Sequence, residues 1–351
     1  MSPRARELLQ AARPRRRLDP RALGGRELRG EELRGADLRG WTLQDLCLDQ
    51  AALREARLDQ ALLQGCTLRG ADLGGASLRE AWLCDCDLAG ARLEGCQARA
   101  ATLERCALQA TDWRGASLCH AMLRDCPQAG ADYTDADLER CCAAGSDWRE
   151  TRLCRTRLRT ACLQQLQLDG QDLRDCDLLG CDLAQASLRA SRLEDMRLLR
   201  TRLAGARLEG ARLARARLEL VRLEHASLRG AQLAQVQACR VHAARACFEG
   251  CAGEGSSWRE CQLAHACWRD AGLRDAAFEA CDWSFAELAG ADLRGARLRD
   301  LNLHACDFET LRAGPDSLLR CRATDRELLE AQQWQPRVAA TAHPPSRESP
   351  P

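Results

Sequence analysis

The chain has 351 residues, 29% of them charged, and a net charge of only +1. Its 52 basic residues are all Arg and face 51 acidic ones, and this near-neutrality argues against a surface that imitates nucleic-acid phosphates. No segment approaches the 18 or so apolar residues of a membrane-spanning helix, and the N-terminus lacks the apolar stretch of a secretory signal; a cytoplasmic location is expected, with signal-independent secretion left open.

Residues 1–20 read as an N-terminal helical cap and basic connector. Pro3 to Ala12 suit a short helix with Leu8 and Leu9 on one side, and Arg13-Pro14-Arg15-Arg16-Arg17 follows as a charged run. The chain then changes character. From Leu23 to Phe308 it runs as 58 consecutive five-residue units in one phase, 43 of them with Leu at the centre. Two residues before the centre stands Ala, Cys, Ser or Thr in 46 of the 58 units. A period of five fits neither a helix nor a strand, so the chain is built by stacking repeats. Four units turn through a square, and each 20-residue coil pairs with the next as parallel strands about 4.8 Å apart. The centre and the small residue point inward, where a large residue at every position would overpack a narrow tube. The units at residues 21–312 predict about 14 coils and a rod of roughly 70 Å.

The pattern is Ala-(Asp/Arg/Ser)-Leu-x-Gly, as in Ala36-Asp37-Leu38-Arg39-Gly40 and Ala291-Asp292-Leu293-Arg294-Gly295. In this the chain resembles the pentapeptide repeat proteins, above all long, loop-free bacterial members. The resemblance implies an all-β solenoid: a right-handed quadrilateral β-helix, here with short helical caps at both ends. It also implies a protein-binding scaffold without catalytic activity, and some long members are associated with secretion systems as effectors, adaptors or immunity partners. Another branch of the family mimics DNA and binds DNA gyrase or topoisomerase, the quinolone-resistance type.

Departures from the repeat come in three places. Cys126-Pro127-Gln128 puts a proline and an inward amide into one strand, which predicts a local distortion. Ala238, Ala243 and Gly253 underfill the core, with Phe248, Trp258, Trp268, Phe278 and Trp283 close by to supply volume. After Phe308 the repeat dissolves. Residues 313–334 read as a C-terminal cap helix starting at Thr324, with a homodimer through this segment as an alternative use. Residues 335–351 read as disordered.

Of 22 cysteines, 12 occupy the small inward slot: Cys66, Cys86, Cys96, Cys106, Cys126, Cys141, Cys176, Cys181, Cys251, Cys261, Cys281 and Cys306. They read as reduced, buried packing residues. No Cys-x-x-Cys pair gives a zinc-knuckle spacing, and His225, His242, His265 and His304 do not converge. No metal, cofactor or catalytic residue is expected, since a convex rod has no cleft in which to desolvate one.

Positions 20 apart should stack in columns. One column, Leu62, Trp82, Thr102, Met122, Cys142 and Cys162, is mostly apolar and spans about 24 Å. It is either a protein interface or a set of scattered surface hydrophobes. A second feature is a basic girdle of Arg192, Arg197, Arg202, Arg207, Arg212, Arg217 and Arg222. Asp172, Asp177 and Asp182 should lie one coil before its first three members. The girdle either decorates a solvated surface or meets an acidic partner. The reading is a rigid rod that binds another protein, with nucleic acid not expected as its partner.

Overall fold

The computed structural model describes residues 17–18, 28–307, 312–313 and 318–333. They form a parallel β-solenoid of about 13 turns. Its repeating unit follows from how five backbone N–H groups find acceptors. Around Leu48, the centre donates to the next coil (Leu48 N to Thr67 O, 2.7 Å), and so does the fifth residue (Gln50 N to Arg69 O, 2.9 Å). The following small residue closes a turn onto the centre (Ala51 N to Leu48 O, 3.1 Å), and the residue after it donates to the previous coil (Ala52 N to Glu31 O, 2.9 Å). One N–H per unit, that of the residue after the centre, is left over. A carboxylate before the centre takes it: Asp72 Oδ1 accepts from Gly74 N at 3.1 Å, Asp87 Oδ1 from Ala89 N at 3.0 Å, and Asp132 Oδ1 from Thr134 N at 2.9 Å. This local bond is the physical reason for Asp in the Ala-Asp-Leu-x-Gly unit.

The fifth position turns the corner with a positive φ. Glycine adopts it without strain at Gly230 (φ 62°), whereas Leu220 (φ 55°) and Phe285 (φ 59°) are held there with a side chain.

Partners 20 residues apart pair in four columns, many through a single bridge per unit. Two faces lengthen into sheets. The first joins β1 (Arg17–Leu18), β2 (Thr42–Gln44), β3 (Leu62–Gln64), β4 (Trp82–Cys84), β5 (Thr102–Glu104) and β6 (Met122–Arg124). The second joins β7 (Arg197–Leu199), β8 (Arg217–Glu219), β9 (Gln237–Cys239), β10 (Ser257–Arg259), β11 (Ala277–Glu279), β13 (Arg297–Arg299) and β15 (Leu318–Leu319). A short pair, β12 (Asp292–Leu293) with β14 (Arg312–Ala313), interleaves in sequence with the last strands of the second sheet.

The ends differ from the sequence expectation. Arg17 pairs with Thr42 and Leu18 with Leu43, an interval of 25 residues, so the first described strand precedes the expected boundary at residue 21. At the far end the 20-residue ladder does not stop at residue 312. Leu298 pairs with Leu318, and Asn302 bridges Arg322. The helix α1 (Arg326–Gln333) lies within the expected cap segment 313–334. Asp325 caps it, its Oδ1 accepting from Leu328 N at 3.0 Å, while Thr324, the expected cap, accepts from Ala305 N at 3.1 Å and ties the segment to the preceding coil. The expected helix over residues 3–12 and the tail from 335 lie outside the described residues.

The core is a continuous column of the inward positions, such as Ala61, Leu63, Cys66 and Leu68, each at most 1% exposed. The underfilled region is closed by aromatic rings: Phe248 stacks on Trp268 at 4.0 Å between centroids, and Trp258 meets both edge-on. Gly253 belongs to the same accommodation, since a Cβ there would stand 2.9 Å from Leu273 Cδ2. At Pro127, which has no N–H to donate, the ladder loosens: Gly130 N reaches Glu150 O at 3.1 Å, one residue beyond the usual partner. Beside it Gln128 is buried, accepting from the Tyr133 hydroxyl, and Tyr133 stacks between Trp113 and Trp148.

Candidate functional site

The apolar column is assembled by pairing rather than by proximity in sequence. Leu62 pairs with Trp82, Trp82 with Thr102, and Thr102 with Met122; Met122 bridges Cys142, and Cys142 bridges Cys162. All five predicted stripe residues, Leu62, Trp82, Met122, Cys142 and Cys162, therefore share one line with Thr102. Trp82 is 50% exposed and Met122 37%; the others are half-buried. Thr42 and Asp182 bound the line at its two ends.

A charged rim runs along this face. Arg105 grips Asp85 through Nε and Nη2 (2.7 and 3.0 Å), reaches Glu104 Oε1 at 2.6 Å, and contacts Cys84 Sγ at 3.0 Å. The Arg105 hydrogen bonds, followed by that of Cys84, hold the Asp85 carboxyl at about 2, while the Asp85 bond pushes the Cys84 thiol up. The columns on the two adjacent faces are mostly polar, Thr67, Asp87 and Ala107 on one side and Ser77, Gln97 and Ser117 on the other. An apolar line with a fixed charged border is the usual anatomy of an interface core and rim.

The girdle is also assembled, with one change of partner. Arg192 meets Asp172 at 3.1 Å and Arg202 meets Asp182 at 3.6 Å, as the columns predict. Asp177 instead pairs with Arg159, and Arg197 reaches Glu219 at 4.0 Å. Arg222 turns to Glu224 at 3.0 Å. Like charges do stack, Arg192 on Arg212, Arg197 on Arg217 and Arg202 on Arg222. Arg207 escapes this, with Ser187 on one side and Ser227 on the other.

Eleven of the twelve inward cysteines are buried, and Cys306 is half-buried; all 22 cysteines are free. Burial pushes the thiols of Cys176, Cys181 and Cys251 up to about 12. Many donate to the centre carbonyl 23 residues back, as Cys181 does to Leu158 O and Cys176 to Leu153 O at 2.7 and 2.8 Å. Thr156 and Thr201 make the same bond, to Tyr133 O and Leu178 O, which explains why Cys and Thr interchange in the small slot. His265 stacks on Phe285, and His304 packs edge-on to it and accepts from Asp325 N at 3.2 Å. The columns leave one feature that sequence reading did not name: Leu318, Leu319 and Leu328 are exposed at the C-terminal end. The signal was available, since residues 318 and 298 are 20 apart. No helix among the described residues is long and apolar enough to cross a membrane.

Comparisons with known proteins agree with this architecture. The family model described as pentapeptide repeats matches in 8 copies, including residues 47–83, 61–97, 181–219, 201–236 and 271–309. No curated protein matches. Among solved structures, a trypsin-treated variant of QnrB1, a plasmid-mediated fluoroquinolone resistance protein, is 21% identical with a TM-score of 0.42, covering 52% of this chain and 91% of that one. HetL, a pentapeptide repeat protein involved in heterocyst differentiation regulation from the cyanobacterium Nostoc sp. strain PCC 7120, is 24% identical with a TM-score of 0.24, covering 83% and 94%. A pentapeptide repeat protein from the Arabidopsis thaliana thylakoid lumen is 32% identical with a TM-score of 0.21, covering 31% and 68%. The chain, whose five-residue units match in sequence and wind into the parallel solenoid they imply, belongs to the pentapeptide repeat family.

Proposed function

We propose that this protein is a non-enzymatic rod that binds another protein along the line from Leu62 to Cys162, with Trp82 and Met122 as anchors. The observation that carries the reading is Trp82, half exposed on a strand whose neighbouring columns are mostly polar. An aromatic ring and a thioether on a rigid sheet supply apolar area at little conformational cost, which is the character of binding hot spots. The non-enzymatic part rests on shape. The groove between Arg217, Gln237 and Ser257 is open to solvent and offers no water-excluded centre. A secretion-associated role as effector, adaptor or immunity partner rests on the family resemblance alone.

The test is a pull-down with the full chain and its Trp82→Asp and Met122→Ser variants. The partner recovered by the native protein is expected to be lost with each variant, the β-helix circular dichroism being unchanged. Equal recovery overturns the reading. The DNA-mimic alternative needs a continuous negative face, whereas Arg and Asp alternate along this rod; the purified protein is expected to leave gyrase supercoiling unaffected.

A further inference from the structure

On another face, further along the rod, two cysteines stack in adjacent coils. Cys247 bridges Cys267, with Ser227 one coil before and Glu287 one coil after. Glu249 follows Cys247 by two residues and points out on the same side of the backbone. The sulfurs of Cys247 and Cys267 and a carboxylate oxygen of Glu249 all lie within 4.8 Å of one another, and the three residues are half-buried. From this geometry we propose that Cys247, Cys267 and Glu249 form a binding site for a thiophilic divalent cation of the Zn²⁺ type. It is independent of the protein-binding stripe.

Three features support it. The ligand set is two sulfurs and one oxygen, which suits a soft or borderline cation rather than Mg²⁺ or Ca²⁺. Tetrahedral zinc holds neighbouring ligand atoms roughly 3.5–3.8 Å apart, so rotation of these side chains closes the cluster on an ion. The backbone beneath is rigid: Phe248 N donates to Cys267 O at 2.7 Å, and the Phe248 and Trp268 rings stack directly inside. The surroundings also suit it. Arg229 Nη2 donates to Glu249 Oε1 at 2.9 Å, which orients the carboxylate and leaves its other oxygen for the metal. Arg269 Nε lies 3.0 Å from Glu287 Oε2. Two thiolates and a carboxylate carry three negative charges, and a divalent ion with Arg229 offsets them. Binding releases two protons, one from each thiol, and leaves the fourth coordination position to water.

The probe is Co²⁺, titrated into the full reduced chain. One equivalent is expected to bind with thiolate-to-cobalt charge-transfer absorption, and Zn²⁺ is expected to displace it. Cys247→Ser and Cys267→Ser should each weaken Co²⁺ binding at least about tenfold and cut the charge-transfer intensity, and Glu249→Gln should weaken it with the thiolate absorption retained. Serine already occupies this column at Ser227, so the variants suit the fold; circular dichroism checks it. The double variant Cys142→Ser/Cys162→Ser, which removes the other stacked surface pair, should leave the spectrum intact. The proposal is overturned if Cys247→Ser/Cys267→Ser binds one equivalent with the native spectrum, or if loss of Cys142 and Cys162 abolishes the absorption.

Discussion

Gly230 sits at a corner with φ 62° and open space where a Cβ would go. Gly230→Ala therefore isolates the cost of the left-handed conformation, expected at about 1 kcal/mol and read as a lower urea midpoint at unchanged slope. Ala190→Gly, at φ 51°, should shift the midpoint by less, because extra freedom in the unfolded chain offsets the relief. The buried thiols give a pH dependence. Cys176, Cys181 and Cys251 titrate near 12 in the fold against an ordinary 9.0. Their contribution is complete below pH 9 and is lost as pH rises from 9 towards 12. The urea midpoint should fall across that window, and less steeply in a chain with these three replaced by Ala. The inward or outward direction of every one of these residues was readable from the five-residue phase. The role of Asp before each centre was not: its bond to the N–H two residues on becomes visible only when the ladder shows which N–H is left without a carbonyl.

The coils are joined outside by ion pairs that cross one 20-residue step. Asp85–Arg105, Asp135–Arg155 and Asp195–Arg215 pair at the corners, at 2.7, 2.5 and 2.6 Å. The Arg105 guanidinium keeps Asp85 ionised down to about 2, so what this pair contributes is present above the ordinary 3.8 and lost as pH falls towards 2. In Arg105→Ala, the Asp85 carboxyl is expected to return towards 3.8, followed by the ¹³C shift of its side chain in an NMR titration. Column membership was legible here too, and Asp172–Arg192 and Asp182–Arg202 follow it. The choice of Asp177 for Arg159 was not, because a long guanidinium reaches diagonally as well as straight across. The same limit hid Cys247 and Cys267. A search for two cysteines separated by two residues suits a tight loop, whereas a solenoid brings metal ligands together at a spacing of 20.

Across the whole rod, the cysteines divide evenly: 11 are buried and 11 are half-buried. With a thiol-reactive dye such as DTNB, the half-buried set should label in the native protein and the buried set only on unfolding. Reaction of all 22 at one fast rate would contradict the packed interior. Most of this large-scale organisation was legible, since the phase runs without interruption from residue 28 to residue 307. The two ends were not. Beyond Phe308 the unit centres include Ala313 and Ala323, yet Leu318 and Arg322 still stand on their columns.

The 25-residue step from Arg17 to Thr42 shows what such a chain can do with its length. One extra unit of sequence lets a strand pair on the same sheet at an interval of 25 residues instead of 20. A unit gained or lost in mid-rod would act like one click of a dial, turning everything beyond it by a quarter-revolution. Four clicks would restore the alignment and change only the length. Removing residues 201–220 should thus give a shorter rod whose Trp82 line and Cys247 cluster keep their relative bearing, while removing 201–205 should swing one against the other. Small-angle scattering would report the length. A partner spanning both regions would tolerate the first deletion far better than the second, so the bearing between distant surface features is inherited in steps of five residues and can be reset without redesigning the core.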